Sequence, residues 1–305
     1  MYIIETDNLC KAYEKKMVVN NVNMHIEEAS IYGFVGENGS GKTTIMRLLT
    51  GLAEPTFGSY RVCGVDHKDI NVYKVRQNIS AIVETVSMVP SMSARDNMIY
   101  HELNLGCKLT EEQRQNLLDM VNLGNTGDKK AKNFSLGMRQ RLGIAMALIN
   151  NPKVLILDEP MNGLDPEGIA ELRDLLVKLN KNEGITVLIS SHILSELEKI
   201  ATCYGFISHG KIIEEISAEE LQARCRKSLN VKVDNPDEAQ KIIADLGVKD
   251  FKVSSTGDIK IFENVQINNV VTALSSKNIA ILGINSADES VEEYYLNLIK
   301  DKEEK

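Results

Sequence analysis

Nowhere in these 305 residues does an apolar run approach the ~18–20 residues that a membrane-spanning helix needs. The first residues, Met1-Tyr2-Ile3-Ile4-Glu5-Thr6-Asp7, lack a basic segment followed by an apolar one. That argues against a secretion signal, and a cytoplasmic location is expected. Positive charge is not in excess: 35 Lys and Arg stand against 43 Asp and Glu, a formal net charge of -8. No nucleic-acid partner is therefore expected. The five cysteines (Cys10, Cys63, Cys107, Cys203, Cys225) are scattered and form no C-x-x-C pair, so neither a disulfide framework nor a zinc module is expected. What is present is 43% hydrophobic and 26% charged residues, the balance of a soluble globular chain with room for two cores.

Apolar runs at Ile31–Val35, Ile79–Val83, Val154–Leu157, Thr186–Ser190 and Tyr204–Ser208 read as buried strands. A helix is expected over Thr43–Leu49, ended by Gly51. From about residue 85 to 148 strand signals fade and helical patterning takes over, with a capping box at Thr110-Glu111-Glu112-Gln113. Asp165-Pro166-Glu167 reads as a helix start, with Ile169, Leu172, Leu176 and Leu179 as its apolar face. Strands alternating with helices around a helical insert predict an α/β core with a helical subdomain. Composition shifts near residues 224–227. Beyond it the order is strand (Leu229–Val233), helix (Pro236–Leu246), strand (Phe251–Ser254), a turn at Thr256-Gly257-Asp258, strand (Ile259–Phe262), helix (Val265–Leu274) and strand (Ile279–Ile284). A last helix starts at Ser290, with Glu293 completing a capping box. This βαββαβ order predicts a small, ferredoxin-like α+β module. The expected domains are residues 1–224 and 225–305.

Gly36-Glu37-Asn38-Gly39-Ser40-Gly41-Lys42-Thr43-Thr44 matches G-x-x-x-x-G-K-[ST] in full, with a strand before it and a helix after it. Such glycines let backbone N–H groups converge on phosphate oxygens, and the helix start aims its positive end at the same anion. Lys42 is expected on the β- and γ-phosphates, and the Thr43 hydroxyl on Mg²⁺. The apolar strand Val154–Leu157 ends in Asp158 and Glu159. Asp158 is placed to hold Mg²⁺, and Glu159 to polarise a water for attack on the γ-phosphate. Between these lies Phe134-Ser135-Leu136-Gly137-Met138-Arg139-Gln140-Arg141, a serine-led helix start.

Taken in order, G-E-N-G-S-G-K-T-T, S-L-G-M-R-Q-R, V-L-I-L-D-E-P, G-L-D-P and the histidine of S-S-H resemble the ATP-binding subunit of ABC transporters, over about Met1 to Leu221. The resemblance implies ATP and Mg²⁺ as ligands and a homodimer closing on two ATP molecules. In it Ser135 and Gly137 serve the phosphates held by the second copy, and Gly163-Leu164-Asp165-Pro166 bridges the copies. It casts His192 as the γ-phosphate sensor and Tyr13 as the aromatic on adenine. It also implies a separate integral-membrane permease, with this subunit peripheral on the inner face of the membrane. The helical insert would dock that permease, through Val86, Met88, Val89 and Met92.

Two departures stand out. The family places Gln at the end of the strand after the phosphate loop, where it touches Mg²⁺ and the attacking water; here Glu84 follows Val83. A carboxylate coordinates Mg²⁺ more strongly than an amide, and its charge would bear on hydrolysis. The plain alternative is an ordinary strand-end acid. The second departure is S-L-G-M in place of S-G-G-Q. Both, with Ser93-Ala94-Arg95-Asp96-Asn97, resemble the ABC branch that handles bacitracin and lantibiotics. The competing reading is a soluble ABC ATPase acting on ribosomes or nucleic acid. Against it stand a single phosphate loop and the absence of a long heptad array.

Overall fold

In a computed structural model the protein is described at residues 1–303 apart from positions 226, 255, 256, 264 and 289. Two compact units are present, Met1–Ala218 and Glu219–Lys305.

The first unit opens with a long antiparallel pair, β1 (Tyr2–Tyr13) and β2 (Lys16–Glu27), joined to β4 (Phe57–Val62) and β5 (Val65–Asp66) in the order β2-β1-β4-β5. Sequence reasoning starts the strands only at Ile31 and misses this sheet. Register shifts along the β1–β2 pairing break the apolar–polar alternation in β1, whereas Val22–Glu27 of β2 alternates cleanly and was a legible signal.

The second sheet runs β10-β9-β3-β8-β7-β6, built from β3 (Ile31–Val35), β6 (Ile79–Ile82), β7 (Val154–Leu157), β8 (Thr186–Ser191), β9 (Cys203–Ser208) and β10 (Lys211–Ser217). All neighbours are parallel except β10, which pairs antiparallel with β9. β3, β7 and β8 are buried at every residue, as parallel strands covered on both faces must be. Because β3, β8 and β7 are neighbours, the phosphate loop after β3, the acids after β7 and His192 after β8 leave the sheet at one edge. Open α/β sheets bind ligands at that edge.

Helix α1 (Lys42–Leu49) follows the loop, with α2 (Val72–Arg76) before β6. Ile45 and Leu48 of α1 share one core with Val19 and Val22 of β2, Phe34 of β3 and Ile156 of β7, so the helix carrying Lys42 is gripped by both sheets. The insert holds α3 (Ala94–Leu105), α4 (Glu111–Met120) and α5 (Leu136–Ala147). Ser93, Thr110 and Ser135 cap them, each accepting a backbone N–H of the first turn. α6 (Pro166–Glu183) begins on its Asp165 cap, and α7 (Leu194–Leu197) follows β8.

The second unit opens with α8, whose full span is Ala218–Arg224, and continues with β11 (Lys227–Val233), α9 (Pro236–Asp245), β12 (Phe251–Val253), β13 (Ile259–Ile261), α10 (Ile267–Ser276), β14 (Ile281–Asp288) and α11 (Val291–Glu303). Its sheet order is β12-β13-β11-β14, with every pairing antiparallel. That places β13 between β11 and β12, in the order and senses of a split βαβ unit. Leu229, Val231, Ala239, Ile243, Val270 and Leu274 form its core. β14 starts at Ile281 rather than Ile279, because Asp234 takes the Ala280 N–H on its side chain at 3.0 Å. In the expected turn, Gly257 adopts φ +85° and the Ser254 N–H donates to the Asp258 carbonyl; Thr256 lies outside the described residues.

Candidate functional site

The loop between β3 and α1 has the shape of an anion cradle. Gly39 and Gly41 sit at φ +81° and +108°, a region that a side chain adopts only with strain. A Cβ on Gly36 would stand 2.6 Å from both the Ile207 side chain and the Ser40 hydroxyl. Glu37 and Asn38 are exposed at the loop tip, and Thr44 is half-buried behind Thr43. Lys42 is buried and reaches back across the loop, donating to the carbonyls of Gly36 at 2.6 Å and Glu37 at 3.1 Å. Burial pushes the Lys42 pKa down, against the pull of Glu159 and Asp158 in the other direction. The Ser40 hydroxyl is buried with no hydrogen-bond partner.

Across from the loop, Asp158 is 8% exposed and both its oxygens accept hydroxyl protons: Oδ2 from Thr43 at 2.7 Å and Oδ1 from Ser190 at 2.7 Å. Glu159 lies 3.8 Å from the Lys42 ammonium through Oε1, which is buried and accepts no hydrogen bond. Its Oε2 is 2.6 Å from His192 Nδ1 and also accepts the His192 backbone N–H at 3.3 Å. The fold thus brings Ser40, Lys42, Thr43, Asp158, Glu159 and His192 into one cluster.

Other expected residues stand apart from that cluster. Ser135 caps α5 by accepting the Met138 N–H at 3.2 Å, and a Cβ on Gly137 would meet nothing closer than Leu164 at 3.7 Å. Among the described contacts, none joins Ser135 or Gly137 to the phosphate loop. Tyr13 ends β1 and is 44% exposed, with the Lys11 ammonium 5.0 Å from its ring centroid and held by the Glu54 carbonyl at 2.7 Å. The same hairpin brings the Val18 carbonyl against the loop, where it would stand 3.0 Å from a Cβ on Gly41. Glu84 follows the end of β6 at φ +71°. Its carboxylate accepts from Arg47 at 2.6 Å, and no described contact ties it to Thr43 or Asp158. Arg47 lies four residues after Thr43, on the same face of α1.

Sequence reasoning missed Arg47 and Ser190. Ser190 left a signal: with Ser191 it closes the carboxyl end of a buried strand whose middle, Val187–Ile189, is apolar.

The donor set fits a nucleoside triphosphate. An unpartnered buried hydroxyl, a buried ammonium and left-handed glycines converge at a helix start, which is what phosphate oxygens need.

Comparison with known proteins agrees. A family model described as ABC transporter matches residues 19–162. The bacitracin transport ATP-binding protein BcrA of Enterococcus faecalis is 38% identical over 301 residues, covering 98% of this chain and 96% of that one. The lantibiotic transport ATP-binding protein SrtF of Streptococcus pyogenes is 47% identical over 213 residues, 70% of this chain and 90% of that one. Among solved structures, the ATP-binding cassette MJ0796, a dimer in a post-hydrolysis state with ADP and Pi bound, superposes with a TM-score of 0.63 at 25% identity, covering 70% of this chain and 98% of that one. With that site geometry and a relative matched along nearly its whole length, the chain belongs to the ABC transporter ATP-binding proteins, which couple ATP hydrolysis to transport.

Proposed function

We propose that this chain is the ATPase subunit of an exporter for a peptide antibiotic or a similar amphipathic compound, working as two copies on a separate membrane permease. The observation that carries the reading is the extent of the likeness to BcrA. It runs over 98% of this chain and so takes in the second unit as well as the ATP-binding one. Transport names on these relatives favour this reading over a soluble ATPase acting on ribosomes or nucleic acid.

At the site, Lys42 releases the loop carbonyls and pairs with the β- and γ-phosphates, while Ser40 and the loop N–H groups take the remaining oxygens. Thr43 and Asp158 would hold Mg²⁺, an ion that prefers such oxygen donors and would neutralise charge on the β- and γ-phosphates. Glu159 accepts the proton of the attacking water as its oxygen bonds to the γ-phosphorus and ADP leaves. His192 holds Glu159 through one ring nitrogen and keeps the other for phosphate. Tyr13, with one face against Lys11, offers the other to adenine. Ser135 and Gly137 complete the site of the second copy. Glu84 would leave Arg47 to approach the metal.

The permease seat joins the half-buried Val86, Met88, Val89 and Met92 to a groove of about 330 Å³ whose lining includes Leu52, Ile82, Val83, His101 and Leu105, with Val86 common to both. Leu52 is 71% exposed, an apolar side chain that a partner would cover. Coexpression with a multi-span membrane protein tests the reading. The pair should copurify and protect cells against a peptide antibiotic, and a Met88→Asp/Met92→Asp double variant should lose both. Copurification without protection against any such peptide would remove the substrate class; no copurification at all would remove the exporter.

A further inference from the structure

Ser190 is fully buried, and its hydroxyl does two things at once. It donates to Asp158 Oδ1 at 2.7 Å and accepts the backbone N–H of Glu159 at 2.8 Å. A serine hydroxyl has one proton and two lone pairs, so both bonds are available together. The first bond fixes the rotation of the Asp158 carboxylate. With Oδ1 turned to Ser190, Oδ2 faces the Thr43 hydroxyl, the side on which a metal held by Thr43 would lie. The second bond acts on a strained residue. Glu159 lies at φ +50°, a conformation that non-glycine residues adopt rarely and keep only when their surroundings over-determine it. Four contacts supply that: the N–H on Ser190, the carbonyl accepting from Asn162 N at 3.1 Å, and the side chain on His192 and, at 3.8 Å, on the Lys42 ammonium. Only Ser190 also makes a described hydrogen bond to Asp158.

We infer that Ser190 is a positioning residue for hydrolysis: one hydroxyl sets both the metal-facing oxygen of Asp158 and the backbone that aims the Glu159 carboxylate at water. Among the described contacts its hydroxyl meets only these two acids, so it acts through them. The inference rests on the roles proposed above for Asp158 and Glu159.

The test compares Ser190→Ala and Ser190→Val, which lack the hydroxyl, with Ser190→Thr, which keeps it. Full-length protein is titrated with a fluorescent ATP analogue at graded Mg²⁺ and without Mg²⁺, alongside steady-state hydrolysis. Ala and Val should raise the Mg²⁺ needed for half-maximal analogue binding about 10-fold, the outer-partner range for metal sites. They should leave Mg²⁺-free binding within about 2-fold and lower kcat far more than KM affects the rate. Thr should restore both to within about 3-fold. A merely structural serine would weaken binding equally with and without Mg²⁺; that outcome, or full activity in the Ala and Val variants, overturns the inference. If Ala unfolds, judged by circular dichroism, the Val and Thr pair of near-equal volume decides. Asp158→Asn is run in parallel. If it leaves the Mg²⁺ requirement unchanged, the reading of Asp158 itself fails; if it shifts the requirement and the Ser190 variants do not, only the role of Ser190 fails.

Discussion

Glu84 shows what a single position conveys in sequence and what it does not. The departure from Gln is visible in the string, and so is its place after an apolar strand. Its partner is not, because Arg47 lies far away in sequence on a helix recognised for its phosphate loop. The ion pair joins two side chains that are 40% and 57% exposed, so it contributes at most about 1 kcal/mol to stability. Replacement by Gln should therefore leave the thermal midpoint nearly unchanged. The Mg²⁺ concentration for half-maximal ATPase activity should rise severalfold, since an amide binds the ion less well than a carboxylate. An unchanged Mg²⁺ dependence would make Glu84 an ordinary strand-end acid that Arg47 neutralises. The phosphate loop was fully legible for the opposite reason: its chemistry needs residues adjacent in sequence, so spacing alone reveals it.

Among elements, helices with local stop and start signals were read well, and strands paired across irregular registers were not. The capping boxes at Thr110 and Ser290 form as expected, Thr110 N donating to Gln113 Oε1 at 2.9 Å and Glu293 N to Ser290 Oγ at 3.2 Å. What ties α3 to α4 was invisible, since it depends on two charges meeting inside the fold. Glu102 and Arg114 are 2% and 5% exposed and share two hydrogen bonds of 2.8 and 2.9 Å, while Leu109 N donates to Glu102 as well. Burial raises the pKa of Glu102, but the bonds from Arg114 and Leu109 outweigh it and hold the carboxyl below its usual range. Arg114→Met should cost roughly 3–5 kcal/mol, because it leaves a buried carboxylate unpaired. The pH dependence gives the sign. In the unaltered protein the depressed pKa means that stability is present above the unfolded-state carboxylate pKa and lost as pH falls through the folded one. In the variant Glu102 keeps its burial and loses its cation, so its pKa rises and protonation relieves the defect. The stability gap between the two proteins, measured by urea unfolding, should therefore narrow as pH is lowered from neutral toward 5. A constant gap would mean that lost packing, not charge, sets the cost.

At the scale of the whole molecule, the cluster built on Lys42, Asp158 and Glu159 has no described contact with Ser135 and Gly137 at the start of α5. Ser135 and Gly137 have no described contact with the phosphate loop of their own chain, while MJ0796 is a relative solved as a dimer. If a second copy supplies them, two different defects should complement. Lys42→Ala removes the phosphate-binding ammonium, and Gly137→Asp puts a side chain and a like charge where phosphate must approach; each homodimer should be inactive. In a mixed dimer one site carries both defects. The other joins an intact phosphate loop to an intact α5 start. Random pairing makes about half of the dimers mixed, each with one sound site of two, so activity should return to about a quarter of the unaltered level for independent sites. Cooperative sites would lower that figure without abolishing it. Should Ser135 and Gly137 act within their own chain, every subunit would keep its defect and mixing would restore nothing. ATPase activity measured against mixing ratio separates the two arrangements, because recovery from shared sites peaks near equal amounts and vanishes at either end.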